Sequence, residues 1–274
     1  MKADYEFTRL EVPGATYTYA VDLNNVDEVV GYYVDGDGVT HGFLWSDGKY
    51  TTLTAPGAID TRAFGINNLG HIVGRYNDAD NTQRGFLLCN GQYTTINPEG
   101  STLSAARGIN DLGEIVGLFE DGGVVRHGFR RSSTGEYSHF DATPTASVTN
   151  IIDINNAGDV VGTYVDRTER HGFFVSSTGE FLSIDPPTSR PTNTLAVSIN
   201  NYGVIVGEYD DLDGHHHGWF LSGDDHTYYT LPFDVPRSSW TSLDGINDNG
   251  DLSGPYIDGD TGINYGFFAR RRKP

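Results

Sequence analysis

The chain holds a single cysteine, Cys89, so no disulfide can join two of its parts. No stretch approaches the roughly 18 consecutive apolar residues of a membrane-crossing helix. The opening MKADYEF does not read as a signal peptide, so an exported form would have shed its leader. Basic residues are scarce: 18 Lys and Arg against 37 Asp and Glu give a formal charge of −19. Such a surface repels phosphate backbones and anionic lipid, which excludes nucleic acid and membrane insertion as first expectations. Small polar molecules, sugars and cations stay open as partners. The one basic run, Arg270 to Lys273, reads as a solvated terminus.

Glycine and aromatics are plentiful. With 35 Gly, 16 Tyr and 14 Phe in 274 residues, the composition suits short strands joined by tight turns, with rings filling the layers between them. A disordered chain would be poor in aromatics.

The strongest signal is an internal repeat. "GINNLGHIVGRY" at residues 65–76 returns at 108 as "GINDLGEIVGLF". The first Asn falls at Asn24, Asn67, Asn110, Asn155, Asn200 and Asn247, in steps of 43, 43, 45, 45 and 47 residues. Seven residues on comes Gly31, Gly74, Gly117, Gly162, Gly207 or Gly254. A second tripeptide follows, His41-Gly42-Phe43 in the first unit and Tyr265-Gly266-Phe267 in the last. Each unit contains four strand-like runs, in the second "TRAFGI", "HIVGRY", "RGFLL" and "QYTTI". Four strands per 43 to 47 residues predict an all-β, six-bladed β-propeller with four-stranded antiparallel blades, one domain over residues 1–274. "YEFTRLEVPGA" near the N-terminus matches the fourth-strand "KYTTLTAPGA", and the last unit stops after its third strand. The N-terminal strand is therefore expected to complete the last blade and close the ring. A linear solenoid is the alternative, and it would not need complementary ends.

The paired motif resembles the HAF-type extracellular repeat, a bacterial family named for its His-Ala/Gly-Phe tripeptide. The resemblance runs from Tyr5 to Arg270, with Arg84 and Tyr265 replacing His in units two and six. It implies a repeat fold and export to an extracellular or periplasmic location. It carries no activity over to this chain.

Repetition marks scaffold. His41, His127, His171 and His217 recur on third strands, too far apart to share one ion, so each is expected to bond within its own unit. The run His215-His216-His217 lacks a third ligand for a functional metal site. An acidic turn gives Asp35, Asp78, Asp121, Asp166, Asp211 and Asp258, with a second Asp at Asp37, Asp80, Asp213 and Asp260. Turn chemistry is the leading reading, and calcium on pairs such as Asp35 with Asp37 or Asp211 with Asp213 the weaker one. No other cofactor is expected. The repeated Asn reads as a turn-former bonded to its own backbone. A hydroxyl ring, Thr18, Thr61, Ser104, Thr149, Thr194 and Thr241, is expected on the innermost strands.

Function is sought where the copies differ. On those innermost strands the variable positions offer Tyr17, Tyr19, Asp60, Arg62, Arg107, Asn150, Asn193, Trp240 and Asp244. This is a polar and aromatic set of the kind a ligand pocket uses. Loops bearing Arg190 and Arg237, stiffened by Pro, open on the same mouth. Three functional readings follow. The first is one small-molecule or carbohydrate site between Trp240, Tyr17 and Tyr19. The second is an enzyme of hydrolase or lyase type, with Asp60 or Asp244 as base, Tyr19 as proton donor and Arg62 or Arg107 holding a carboxylate. The third is a multivalent extracellular scaffold with similar weak sites between blades. The bland alternative is blade-to-blade packing, with Arg62 paired to Asp60 or Asp244.

Overall fold

The computed structural model describes residues 5–123, 125–167, 169–185, 193–210, 216–221, 228–229 and 235–272. These residues form strands and turns without a helix. In each of the first two units four strands pair antiparallel in chain order, for example Asp60–Ile66, Ile72–Asn77, Gln83–Cys89 and Gln92–Ile96. The next three units repeat this order. Single parallel bridges, Arg126 to Val148 and Arg170 to Asn193, join them into one 12-stranded sheet. In the last unit the first strand is broken into Ser238–Thr241 and Gly245–Ile246, both paired with Leu252–Asp258. Outside Leu252–Asp258 lies Asn264–Arg271, and on its far edge lies Tyr5–Leu10, antiparallel, with Tyr5 opposite Arg271 and Leu10 opposite Gly266.

The two halves of the repeated signature are one contact. Each repeat Gly stands opposite the aromatic of the tripeptide, Gly74 across from Phe86. A Cβ on Gly74 would lie 2.0 Å from the Arg62 carbonyl and 2.8 Å from the Phe86 ring. Only glycine lets that ring lie on the second strand. The six aromatics so placed (Phe43, Phe86, Phe129, Phe173, Trp219 and Phe267) are fully buried, each worth about 2–3 kcal/mol of apolar burial. The core lies between consecutive units: Val30 and Leu53 of the first pack with Ala63, Ile66, Ile72 and Phe86 of the second. Leu10 and Phe268 pack in the same way with Ala20, Leu23, Val29 and Phe43, so the two chain ends share a core.

The repeated Asn does more than shape a turn. Its Oδ1 accepts from the backbone two and four residues on, as Asn67 does from Leu69 and His71. Its Nδ2 donates to the carbonyl of the next unit's Asn: Asn24 to Asn67, Asn67 to Asn110, Asn110 to Asn155, Asn155 to Asn200, Asn200 to Asn247, and Asn247 back to Asn24, at 3.0 to 3.4 Å. A second cycle runs through the next residue. The amide of each donates to the side chain of the one following, through Asn25, Asn68, Asp111, Asn156, Asn201 and Asp248, at 2.8 to 2.9 Å. Asp111 also accepts Nδ2 donors from Asn68 and Asn156. Both cycles return to their starting residue.

The hydroxyl residues point away from the enclosed space. Thr18, Thr61, Thr149 and Thr241 are buried and accept from the amides of Val12, Ala55, Ala142 and Val235. They pin the connection between units, because alternation along the strand turns them to the core face.

Candidate functional site

The outer repeated groups satisfy one another. His41 Nε2 lies 2.9 Å from Asp35, His127 Nδ1 is 2.8 Å from Asp141, and His171 Nδ1 is 3.0 Å from Asp185. Arg84 takes the same position in unit two and donates to Asn97. Asp35 Oδ1 accepts the amides of Asp37 and Val39, closing its own turn. These bonds hold the Asp35 carboxyl below the usual carboxylate range. Asp211, Asp213, His215 and Arg190 lie outside the described residues.

The inner strands face an enclosed space with alternate residues. A bulge in each of the first five, between Ala63 and Gly65 in unit two, adds one more inward position before the Asn turn. At the end where the Asn cycles lie, the space narrows to a cavity of about 60 Å³. Asp22 and Asp153 line it and also line the wider space beyond. Asp22 accepts the Ile66 amide, and Asp153 accepts the amides of Ile154 and Ile199 and the Ser198 hydroxyl. Burial raises both carboxyls, Asp153 to about 6, and the charge of Asp153 raises Asp22 further.

Beyond this floor lie two cavities that share Phe64 and Arg107. The first, about 340 Å³, is lined by residues that include Tyr19, Arg107, Asn150, Arg170, Glu208 and Asp244. The second, about 320 Å³, has Tyr32, Arg62, Arg75, Gln83, Arg107 and Arg126 on its wall. Tyr19 stacks on Tyr32 with centroids 5.0 Å apart, and Tyr17 stacks on Tyr19 at 6.0 Å.

The two cavities have opposite electrostatic character. In the second, Arg62 donates to Asp60 at 3.2 Å, and Arg126 donates to Glu120 at 2.6 Å. Arg75 donates to Asn77 and Gln83 and stands 4.0 Å from Asp60. Arg107 lies over the Phe64 ring at 4.4 Å, and its buried Nε has no hydrogen-bond partner. Burial, then the charge of Arg75, lowers the Arg107 guanidinium to about 10. In the first cavity the Ser242 hydroxyl lies 2.9 Å from Glu208 Oε2 and 2.5 Å from Asp244 Oδ1. One hydroxyl hydrogen serves one of these contacts, so the other needs a proton on a carboxyl. Asp244 is placed to hold it: burial, then the Glu208 charge, raises its carboxyl to about 7, against the opposing pull of Ser242, Tyr19 and Arg107. Burial raises the Tyr19 phenol well above its ordinary value.

The residues singled out from the sequence thus divide. Tyr19, Arg107, Asn150 and Asp244 meet on one cavity, and Arg62 lines the other. Asp60 pairs with Arg62, and Asn193 donates to Asp210. Tyr17, Asn193 and Trp240 are not on either cavity wall. Tyr32, Arg75, Thr163 and Glu208 escaped notice because they sit on second strands, cross-strand from Tyr19, Arg62, Asn150 and Leu195. All four directly follow the repeat Gly, and that position varies between copies as freely as the inner-strand positions do.

No family model matches the chain, and no curated protein matches it. Solved structures do. The chain is similar to the SapL1 lectin, solved in complex with alpha methyl fucoside, at 14% identity and TM-score 0.61 over 93% of each chain. It is similar to the Aleuria aurantia lectin, described as a six-bladed β-propeller, at 14% identity and TM-score 0.56 over 97% of this chain and 91% of that one. Virginiamycin B lyase from Staphylococcus aureus matches at 11% identity and TM-score 0.54 over 98% and 100%. The chain is all-β and shares the fold of β-propeller proteins.

Proposed function

We propose that the chain is a single six-bladed β-propeller of four-stranded blades, its ring closed by the N-terminal strand on the last blade. In this reading it binds one small polar molecule, of the carbohydrate class, in the central channel. The observation that carries it is the pair of neighbouring cavities, both walled by Phe64 and Arg107, with Arg107 Nε and Asn150 Oδ1 buried and without hydrogen-bond partners. Buried polar atoms are normally satisfied, and a polar ligand supplies what is missing. Each cavity falls at the small end of ligand pockets, which fits a mono- or disaccharide. The stacked Tyr19 and Tyr32, one on the wall of each cavity, give a rigid aromatic edge against which a sugar ring packs. Inequality between copies favours one central site over six equal ones. Membership of the HAF-type repeats, and export with it, belongs to the same proposal and rests on the repeated motif.

The test is thermal-shift screening of monosaccharides followed by calorimetry. At least one sugar raises the melting temperature, and Tyr19→Ala and Asn150→Ala abolish the rise. No response to any sugar, or a response unchanged in both variants, refutes the reading. One observation favours a second reading: Asp244, beside Glu208 and Tyr19 and raised to about 7 by burial and then the Glu208 charge, is poised for proton transfer. Turnover of a bound compound, lost in Asp244→Asn while binding persists, would establish that enzyme.

A further inference from the structure

The acidic chain concentrates guanidinium groups in one enclosed place. Of 18 basic residues, four (Arg62, Arg75, Arg107 and Arg126) line the 320 Å³ cavity. Two of the four are in close ion pairs, Arg62 with Asp60 and Arg126 with Glu120, and Arg75 stands at the 4.0 Å limit from Asp60. Arg107 has no carboxylate within ion-pair distance among the described residues. It has a ring beneath it and a buried N–H with no acceptor. A guanidinium N–H buried without an acceptor is costly, and an anion that enters and accepts it removes the cost. The guanidinium fork matches a carboxylate in plane and spacing.

We propose that the channel ligand carries a carboxylate seated on Arg107, on a small hydroxylated body such as a uronic acid. This rests on the reading of the channel as a ligand site and names its chemical class. The neighbouring 340 Å³ cavity argues for a monoanion with hydroxyls over a phosphate dianion. Its wall sets four carboxyls, Asp22, Asp153, Glu208 and Asp244, against Arg107 and Arg170, so its acceptors and the unsatisfied Asn150 Oδ1 favour hydroxyl donors over a second negative charge.

The experiment uses the full chain and calorimetry at constant ionic strength. The probes are sodium glucuronate and galacturonate, the neutral sugars glucose and galactose, sodium acetate, and inorganic phosphate. The expected result is that one uronate binds at least about 10-fold tighter than its neutral counterpart. Arg107→Gln weakens it by about 10- to 100-fold, the range for a lost charge-assisted hydrogen bond, and weakens the neutral sugars by a smaller factor, so that the uronate's advantage over its neutral counterpart disappears. Arg84→Gln, on an outer strand and bonded to Asn97, changes neither. Equal binding of neutral sugar and uronate overturns the carboxylate while the sugar reading stands. Acetate binding as tightly as a uronate keeps the carboxylate and overturns the hydroxylated body. Tighter binding of phosphate, or no binding of either uronate by the unaltered chain, overturns the proposal without recourse to a variant.

Discussion

Removing one side chain from the inner asparagine cycle tests whether that cycle holds the units together. Asn110 is 3% exposed and fully engaged. Its Oδ1 accepts the amides of Leu112 at 3.1 Å and Glu114 at 3.0 Å. Its Nδ2 donates to Glu114 Oε2 at 2.8 Å and to the Asn155 carbonyl at 3.1 Å. Asn110→Ala strips two amides of their partner and takes one of two donors from the Asn155 carbonyl, which keeps the Gly158 amide. Each buried orphan costs about 1–3 kcal/mol, and water reaches part of the turn, so the total comes to about 2–4 kcal/mol. At about 2–4 °C per kcal/mol for a chain of this size, the melting temperature falls by about 4–16 °C. Asn110→Asp retains the acceptor bonds but loses both donors and sets a carboxylate against Glu114 and the Asn155 carbonyl. That neighbourhood raises the new carboxyl's folded pKa above its unfolded value. The protonated form is therefore favoured in the fold, and its contribution to stability is lost as pH rises. The aspartate variant should be weaker at pH 8 than at pH 5. Val26→Ala, at a 64% exposed position on the same kind of turn, is the control and changes stability by under about 0.5 kcal/mol. A fall under about 2 °C for Asn110→Ala, or an aspartate variant no weaker at pH 8 than at pH 5, would refute the reasoning.

The remaining predictions concern packing, protons and the unpaired guanidinium. Gly74→Ala forces a Cβ to 2.0 Å from a backbone oxygen, which no side-chain movement relieves. The variant should lose about 3 kcal/mol or more, read as a fall in soluble yield and melting temperature. Burial raises the folded-state carboxyls of Asp153 and Asp244 to about 6 and about 7, above the ordinary aspartate value of 3.8. Their contribution to stability is complete below the unfolded value and is lost as pH rises through 6 to 7. Melting temperature should therefore decline from pH 5 to pH 8, by at most about 1.4 kcal/mol per pH unit for each proton. Asp244→Asn should flatten the upper part of that decline. Arg107→Met replaces a half-buried guanidinium, whose buried Nε lacks an acceptor, with an apolar side chain of similar length, so the unliganded protein should melt higher. A lower melting temperature in that variant would mean the guanidinium already has a compensating partner.

How much of this was legible in the sequence depends on whether a residue acts through its own strand or through a neighbour. The repeat spacing, the turn at each Asn and the match between the two chain ends are local patterns, and a one-dimensional reading reaches them. The bond from Asn110 to the carbonyl of Asn155 spans 45 residues, and nothing near either residue marks it. The Gly74 and Phe86 contact was visible only as two halves of a signature, because cross-strand register joins them. The same limit explains the site. Tyr19, Arg107, Asn150 and Asp244 were found because they break the symmetry of first strands. Arg75 and Glu208 break it equally, one strand further out. Trp240 and Tyr17 were expected at the mouth from their aligned position six residues before the strand-ending Ile or Leu, and neither lines these two cavities. In a repeat protein the informative question for each aligned column is therefore which way its strand faces. Columns that face the core are held uniform by packing, as Gly and Phe are here. Columns that face the enclosed space are free to diverge, and in this chain their divergence places arginines on units two and three and a carboxyl pair bridged by the Ser242 hydroxyl on units five and six. A ligand spanning that gradient would touch several units at once, so binding and the cohesion of the units should reinforce each other.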